Sequence, residues 1–122
     1  MTGTCAALHH LELALDAPRE PAALGTWRWS VRQRMAGVRD VLAEESACDR
    51  DAWLVARGGS MLRERNLLLG RLSELGPRVL ESGEVEAVRA DLKRLLTDIT
   101  HHIQRLHDLA YDEVELELGG SD

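Results

Sequence analysis

The feature that most constrains this chain is a stripe of apolar residues running from Val85 to Leu109 at helical spacing. Val85, Val88, Leu92, Leu95, Ile99, His102, Leu106 and Leu109 follow one another at alternating intervals of three and four. That alternation places them on one side of an α-helix, and its persistence over several turns is how a helix seals a bundle core. Leu96, Ile103 and Ala110 widen the stripe, and Ser82 is placed to cap the start. A single helix cannot bury such a face against itself, so other segments must supply the opposing walls.

Three further segments do so. Leu8, Leu11 and Leu15 lie at helical spacing within a short amphipathic segment, Thr4 to Asp16, which Pro18 and Pro21 terminate. A loop is expected over Ala17 to Gly25. Thr26 is the expected N-cap of a second helix, whose Trp27, Val31, Met35, Val38 and Leu42 keep to one stripe while Arg28, Arg32, Arg34 and Arg39 fall largely outside it. This helix fades in the polar run Glu44 to Asp49. A third starts near Asp51, with Leu54, Met61, Leu68 and Leu75 at seven-residue intervals flanked by Leu62, Leu69 and Leu72. Gly58–Gly59 costs roughly 2 kcal/mol against alanine in a helix interior. The pair marks a kink, a close crossing or a break, and a continuous or kinked helix is the expectation. Gly76–Pro77 is the expected end, with Val79 and Leu80 able to add one more turn.

After Tyr111 the period changes. Val114, Leu116 and Leu118 alternate with Glu113, Glu115 and Glu117 before Gly119–Gly120, a strand-like repeat of two. Acids at a helix C-terminus oppose the dipole. Both points predict that the helix ends near residues 111 to 114. The expected fold is therefore all-α: an antiparallel up-down four-helix bundle with a short extended C-terminal tail, forming one domain over residues 1–122. Composition agrees, since aromatics are 3% with no Phe, and Leu and Ala suit helices better than strands.

Net charge is −6, which gives no general attraction to nucleic acid or anionic lipid. No apolar run approaches the ~20 residues of a membrane span, and no signal peptide is visible, so a cytoplasmic protein is expected. Cys5 and Cys48 are the only cysteines and share no CxxC spacing, as expected of reduced thiols. Lys93 is the only lysine, an arginine bias common in GC-rich bacterial genomes.

Histidines stand at 9, 10, 101, 102 and 107. Neighbours on a helix point about 100° apart, so His102 sits inside, His107 flanks the core and His101 faces outward. A carboxylate-bridged di-metal site needs Glu-x-x-His pairs on two helices. Here the nearest match is Asp98 with His101 or His102, and the middle helices supply no histidine. A single iron or zinc held by His102, Glu64 and the N-terminal segment is the metal reading, with Asp98 as a further candidate ligand. The ordinary reading of His102 is a core histidine hydrogen-bonded to a neighbouring helix, with no cofactor. Ser60 lacks the preceding strand of a nucleophile elbow, Cys48 has only Arg50 to activate it, and Gly58–Gly59 lacks the strand and lysine of a phosphate cradle. No catalytic residue is assigned.

Trp29 lies about 200° from Trp27 on the second helix. Either the N-terminal helix folds over it, the favoured expectation, or it is an exposed anchor of the kind enriched at interfaces, with Arg28 and Arg32 beside it. A protein partner or a second copy is expected, with Trp29, Arg32, Leu116 and Leu118 as contact residues and the tail as one route to assembly.

The runs "ITHHIQRLHDLAYDEVELELGG" and "LHHLELALDAP" resemble small bacterial helical proteins related to the hemerythrin-like fold. The likeness covers the two ends, and the middle only in its helical pattern. It implies a four-helix bundle, in which metal-binding members carry histidines and carboxylates on all four helices. Here Asn66 stands where such relatives can carry His, and the second helix ends in Glu44–Glu45 with no histidine. No ligand set is carried over. The expected function is a non-enzymatic bundle acting through protein–protein contact, the alternative being a metal-binding bundle of hemerythrin-like type.

Overall fold

The structure is a computed structural model that describes the backbone of residues 2–44 and 59–120 and the side chains of residues 5–44 and 59–109. Within these residues the chain forms α1 (Thr2–Leu15), α2 (Leu24–Glu44), α3 (Ser60–Glu81) and α4 (Val85–Gly120), and no strand. Each helix packs on the next, and α1 closes the ring against α4. Cross-contacts fix the directions. Arg28 reaches Val79 and Ser82 while Arg32 lies over Gly76, so α2 and α3 are antiparallel. Arg78–Asp91, Arg71–Asp98 and Glu64–His102 establish the same for α3 and α4. The protein is an all-α four-helix bundle, and no described helix is long and apolar enough to cross a membrane.

The stripes read from the sequence form the core. Leu11 and Leu15 of α1, Trp27 to Leu42 of α2, Leu68 to Val79 of α3 and Val88 to Ile99 of α4 supply its buried members. Met61 and Leu106, with Leu62 and Leu109 against them, form a smaller cluster where α3 begins. At the opposite end α1 lacks a cation in its last turn. Arg89 of α4 supplies one, its Nε donating to the Leu15 carbonyl at 2.9 Å. Trp27 Nε1 donates to the same oxygen at 3.2 Å. Two donors from two helices thus hold the C-terminus of α1, where orphan carbonyls need partners.

Several boundaries differ from the sequence expectation. Helix α2 begins at Leu24, with the Trp27 amide donating to the Ala23 carbonyl, so Thr26 lies inside the first turn and is not the cap. Ser82 ends α3, its hydroxyl accepting the Glu84 amide at 3.0 Å, and α4 starts at Val85. Gly59 has φ +75°, which a right-handed helix cannot include, so the expected continuous helix is interrupted at Gly59. The expected start near Asp51, with Leu54, lies outside the described residues.

Gly76–Pro77 does not end α3, which continues to Glu81. Without an N–H, Pro77 leaves the Ser73 carbonyl without its intrahelical donor, but on an exposed face where water can replace it. Arg28 then secures the last turn, donating to the Val79 and Ser82 carbonyls at 2.8 Å each. Gly76 is buried under the Arg32 side chain, and its missing Cβ also relieves the clash that proline imposes on its predecessor. The extended tail is likewise corrected, because α4 is helical through Gly120. A lone strand would leave its backbone groups unpaired, whereas a helix satisfies them internally with Leu and Glu, both good helix formers. That gain outweighs the dipole penalty of the acids, typically 0.3–1 kcal/mol each.

Candidate functional site

The polar side chains that face inward gather near the start of α3. His102 belongs to the α4 stripe and is wholly buried, one turn after Ile99 of the main core and one turn before Leu106 of the smaller cluster. Its Nδ1 donates to Glu64 Oε1 of α3 at 2.8 Å. The other carboxylate oxygen, Oε2, takes Arg105 Nη2 at 2.6 Å. His102 and Arg105 stand at i and i+3, the spacing that brings two side chains to one partner across a helix pair. Partial burial pushes the Glu64 carboxyl up, but the hydrogen bonds from Arg105 and then His102 outweigh it and hold it below its ordinary value. Glu64 is therefore an anion at neutral pH, with both oxygens engaged.

Of the three metal candidates the structure brings two together. Glu64 and His102 are in contact, whereas Asp98 turns to α3 and pairs with Arg71 at 2.6 Å. To serve as metal ligands through the contacting atoms, Glu64 and His102 would have to give up their mutual bond. Among the described residues no group of three or more His, Cys, Asp or Glu is placed to hold a metal ion. Asn66 is exposed, its Oδ1 3.5 Å from Arg65 Nη2. His9, His10 and His101 are exposed and His107 is half-buried. Ser60 is exposed at the first turn of α3, Cys5 is exposed on α1, and Cys48 lies outside the described residues. Arg105 is the member of this cluster that the sequence reading missed, although its spacing from His102 could have pointed to it.

The surface of α2 presents a different chemistry. Trp29 is 64% exposed, so α1 does not fold over it and the favoured expectation of intramolecular cover is corrected. Arg32 follows one turn later on α2, and beyond it Arg39. The two arginines border a groove of about 220 Å³ between α2 and α3, with Met35, Leu72, Ser73, Gly76 and Pro77. Along the α3–α4 seam, by contrast, arginines meet acids: Arg71 with Asp98, and Arg78 and Arg94 with Asp91. A third groove, of about 270 Å³ between α1 and α4, mixes Leu8 and Leu96 with Glu12, Lys93, two threonines and His101. The side chains of Leu116 and Leu118 lie outside the described residues. No protein family, curated protein or solved structure is found to match this chain.

Proposed function

We infer that this protein is a non-enzymatic helical bundle that works by binding another protein surface. The observation that carries the reading is Trp29, a large apolar side chain left 64% exposed one helical turn before Arg32, which borders the α2–α3 groove. Tryptophan and arginine are the residue types that anchor protein contacts most strongly. A photo-crosslinking residue placed at position 29, compared in cells with the same residue at Leu13, an exposed leucine of α1, tests it. The expected result is a discrete protein adduct at position 29 that position 13 lacks. Equal or absent adducts at both would refute a contact surface on α2.

The Glu64–His102 pair favours a second reading, a metal-binding bundle of the hemerythrin-like kind with iron or zinc. Glu64 and His102 would be its first ligands, with the remainder drawn from elsewhere. Metal analysis by mass spectrometry, with an absorption spectrum, separates the two. Stoichiometric iron or zinc that disappears in His102→Gln would replace the contact reading with this one.

A further inference from the structure

The α2–α3 groove differs from its neighbours in charge. No acid among the described residues pairs with Arg32 or Arg39, and neither guanidinium donates to a backbone carbonyl as Arg28 does. Arg28 contacts Val79 and Ser82, which sets residue 29 level with residues 79 to 82 of the antiparallel α3. Trp29 and Leu80, 64% and 48% exposed, therefore stand at the same end of the groove. The seam thus offers two cations over a floor that includes Met35 and Leu72, with the exposed Trp29 and Leu80 on the flanking helices level with one end of it. Its complement is a segment carrying acids among leucines and no base.

The chain contains such a segment. From Asp108 to Leu118 it has five acids, Asp108, Asp112, Glu113, Glu115 and Glu117, interleaved with Val114, Leu116 and Leu118, and no Lys or Arg. Glu113, Leu116 and Glu117 follow at the three- and four-residue spacing that shares a helix face. The segment forms the last turns of α4. Leu106 packs with Met61 at the start of α3, so at 1.5 Å per residue Gly120 stands about 20 Å beyond that level. The groove, at Leu72 to Pro77, lies roughly 15–25 Å from Met61 in the opposite direction. A continuous helix cannot double back over that span, so the segment cannot occupy the groove of its own chain.

We propose that a second copy of this chain docks the acidic last turns of its α4 against the Arg32–Arg39 groove between α2 and α3, and that two copies do so reciprocally. Reciprocal exchange makes the contact two-fold and closed, since each copy offers one segment and one groove. The proposal rests on the contact reading of α2 and names its partner. Because the complementarity is ionic and exposed, association weakens as salt rises.

Sedimentation velocity of the full chain tests it. The wild type is expected to move at twice the 13.6 kDa of one chain at low salt and to dissociate toward one chain in about 0.5 M salt, where the Debye length is short. Arg32→Glu with Arg39→Glu, and separately Glu113→Lys with Glu117→Lys, should each weaken self-association roughly tenfold or more. Helicity measured by circular dichroism is expected to be unchanged in both. An equimolar mixture of the two variants should recover the dimer, because reversed segments then face reversed grooves. A wild type that stays a single chain, or a groove variant that dimerises as the wild type does, overturns the proposal. So does a mixture that recovers nothing. A single-chain wild type that still gives the position-29 adduct with a different protein would overturn self-docking alone and leave the contact reading standing.

Discussion

Replacing Glu64 by alanine isolates what the buried histidine depends on. His102 has no solvent access, and its Nδ1 proton goes to Glu64 Oε1 at 2.8 Å. Removing the carboxylate strands a buried donor, which costs about 1–3 kcal/mol, the upper end applying because the acceptor is charged. Arg105 is half exposed and can return to water, so its lost ion pair adds little. Unfolding entropy near 2.1 cal/mol/K per residue gives roughly 0.25 kcal/mol/K for a chain of 122 residues. The expected fall in melting temperature is therefore about 4–12 °C. Differential scanning calorimetry at pH 7 measures it, with exposed Glu74→Ala as a control expected within about 0.5 kcal/mol of the wild type. Glu64→Gln keeps an oxygen for His102 and should lose less than Glu64→Ala. The pH dependence adds a second readout. The Glu64 carboxyl titrates lower in the folded chain than its ordinary value of 4.5, so its ionic contribution is complete above that value. It is lost as pH falls through the lower, folded value, and the gap between wild type and Glu64→Gln should close below about pH 4.5. If Glu64→Ala melts within 2 °C of the wild type at pH 7 — less than about 0.5 kcal/mol — His102 does not rely on this acceptor and the reasoning fails.

Three further outcomes follow from the packing. Ile99→Ala, at a fully buried position of α4, should cost about 2–5 kcal/mol by chemical denaturation, and an unchanged midpoint would mean the face of α4 is misassigned. Trp27→Ala should cost about 3–5 kcal/mol, whereas exposed Trp29→Ala should stay within about 0.5 kcal/mol, a contrast that equal losses would contradict. Pro77→Ala restores a donor to the Ser73 carbonyl and should raise thermal stability by about 1–3 kcal/mol, less up to about 1 kcal/mol from the freer unfolded chain; a destabilised variant would show that the proline's geometry is needed.

The core was legible because burial repeats with the helix. Each stripe position from Val88 to Leu106 is buried, as are Trp27, Val31, Met35, Val38 and Leu42. Periodicity carries that information without any knowledge of partners. Helix ends were less legible, since they depend on groups remote in sequence. Nothing near Pro77 says that Arg28, about fifty residues earlier, will hold the carbonyls of the last turn. Nothing near Leu15 says that Arg89 will do the same for α1. Local breakers set a tendency, and tertiary donors decided where the chain left the helix.

The site divides in the same way. Its place in the stripe marks His102 as an inward position, and Glu64 is a candidate carboxylate on the facing helix. Their contact needed the antiparallel pairing of α3 with α4, which the short turn at Ser82, Gly83 and Glu84 enforces. The i, i+3 spacing points to Arg105 as a neighbour of His102, but only the helix pairing shows that it takes the other oxygen and that Asp98 leaves for Arg71. Those two cations turn what reads as a ligand set into an ion-pair network: each carboxylate that might face a metal already has an arginine on it. The groove on α2 inverts the case. Arg32 reads from the sequence as a contact residue near Trp29 and Arg39 as part of a solvated flank, and only the packing of α3 shows them bordering a seam in which no described acid answers them. A charge answered within the fold serves stability, and one left unanswered beside an exposed tryptophan is where a partner's acid gains most, because it neutralises a cation without breaking any bond the bundle already makes.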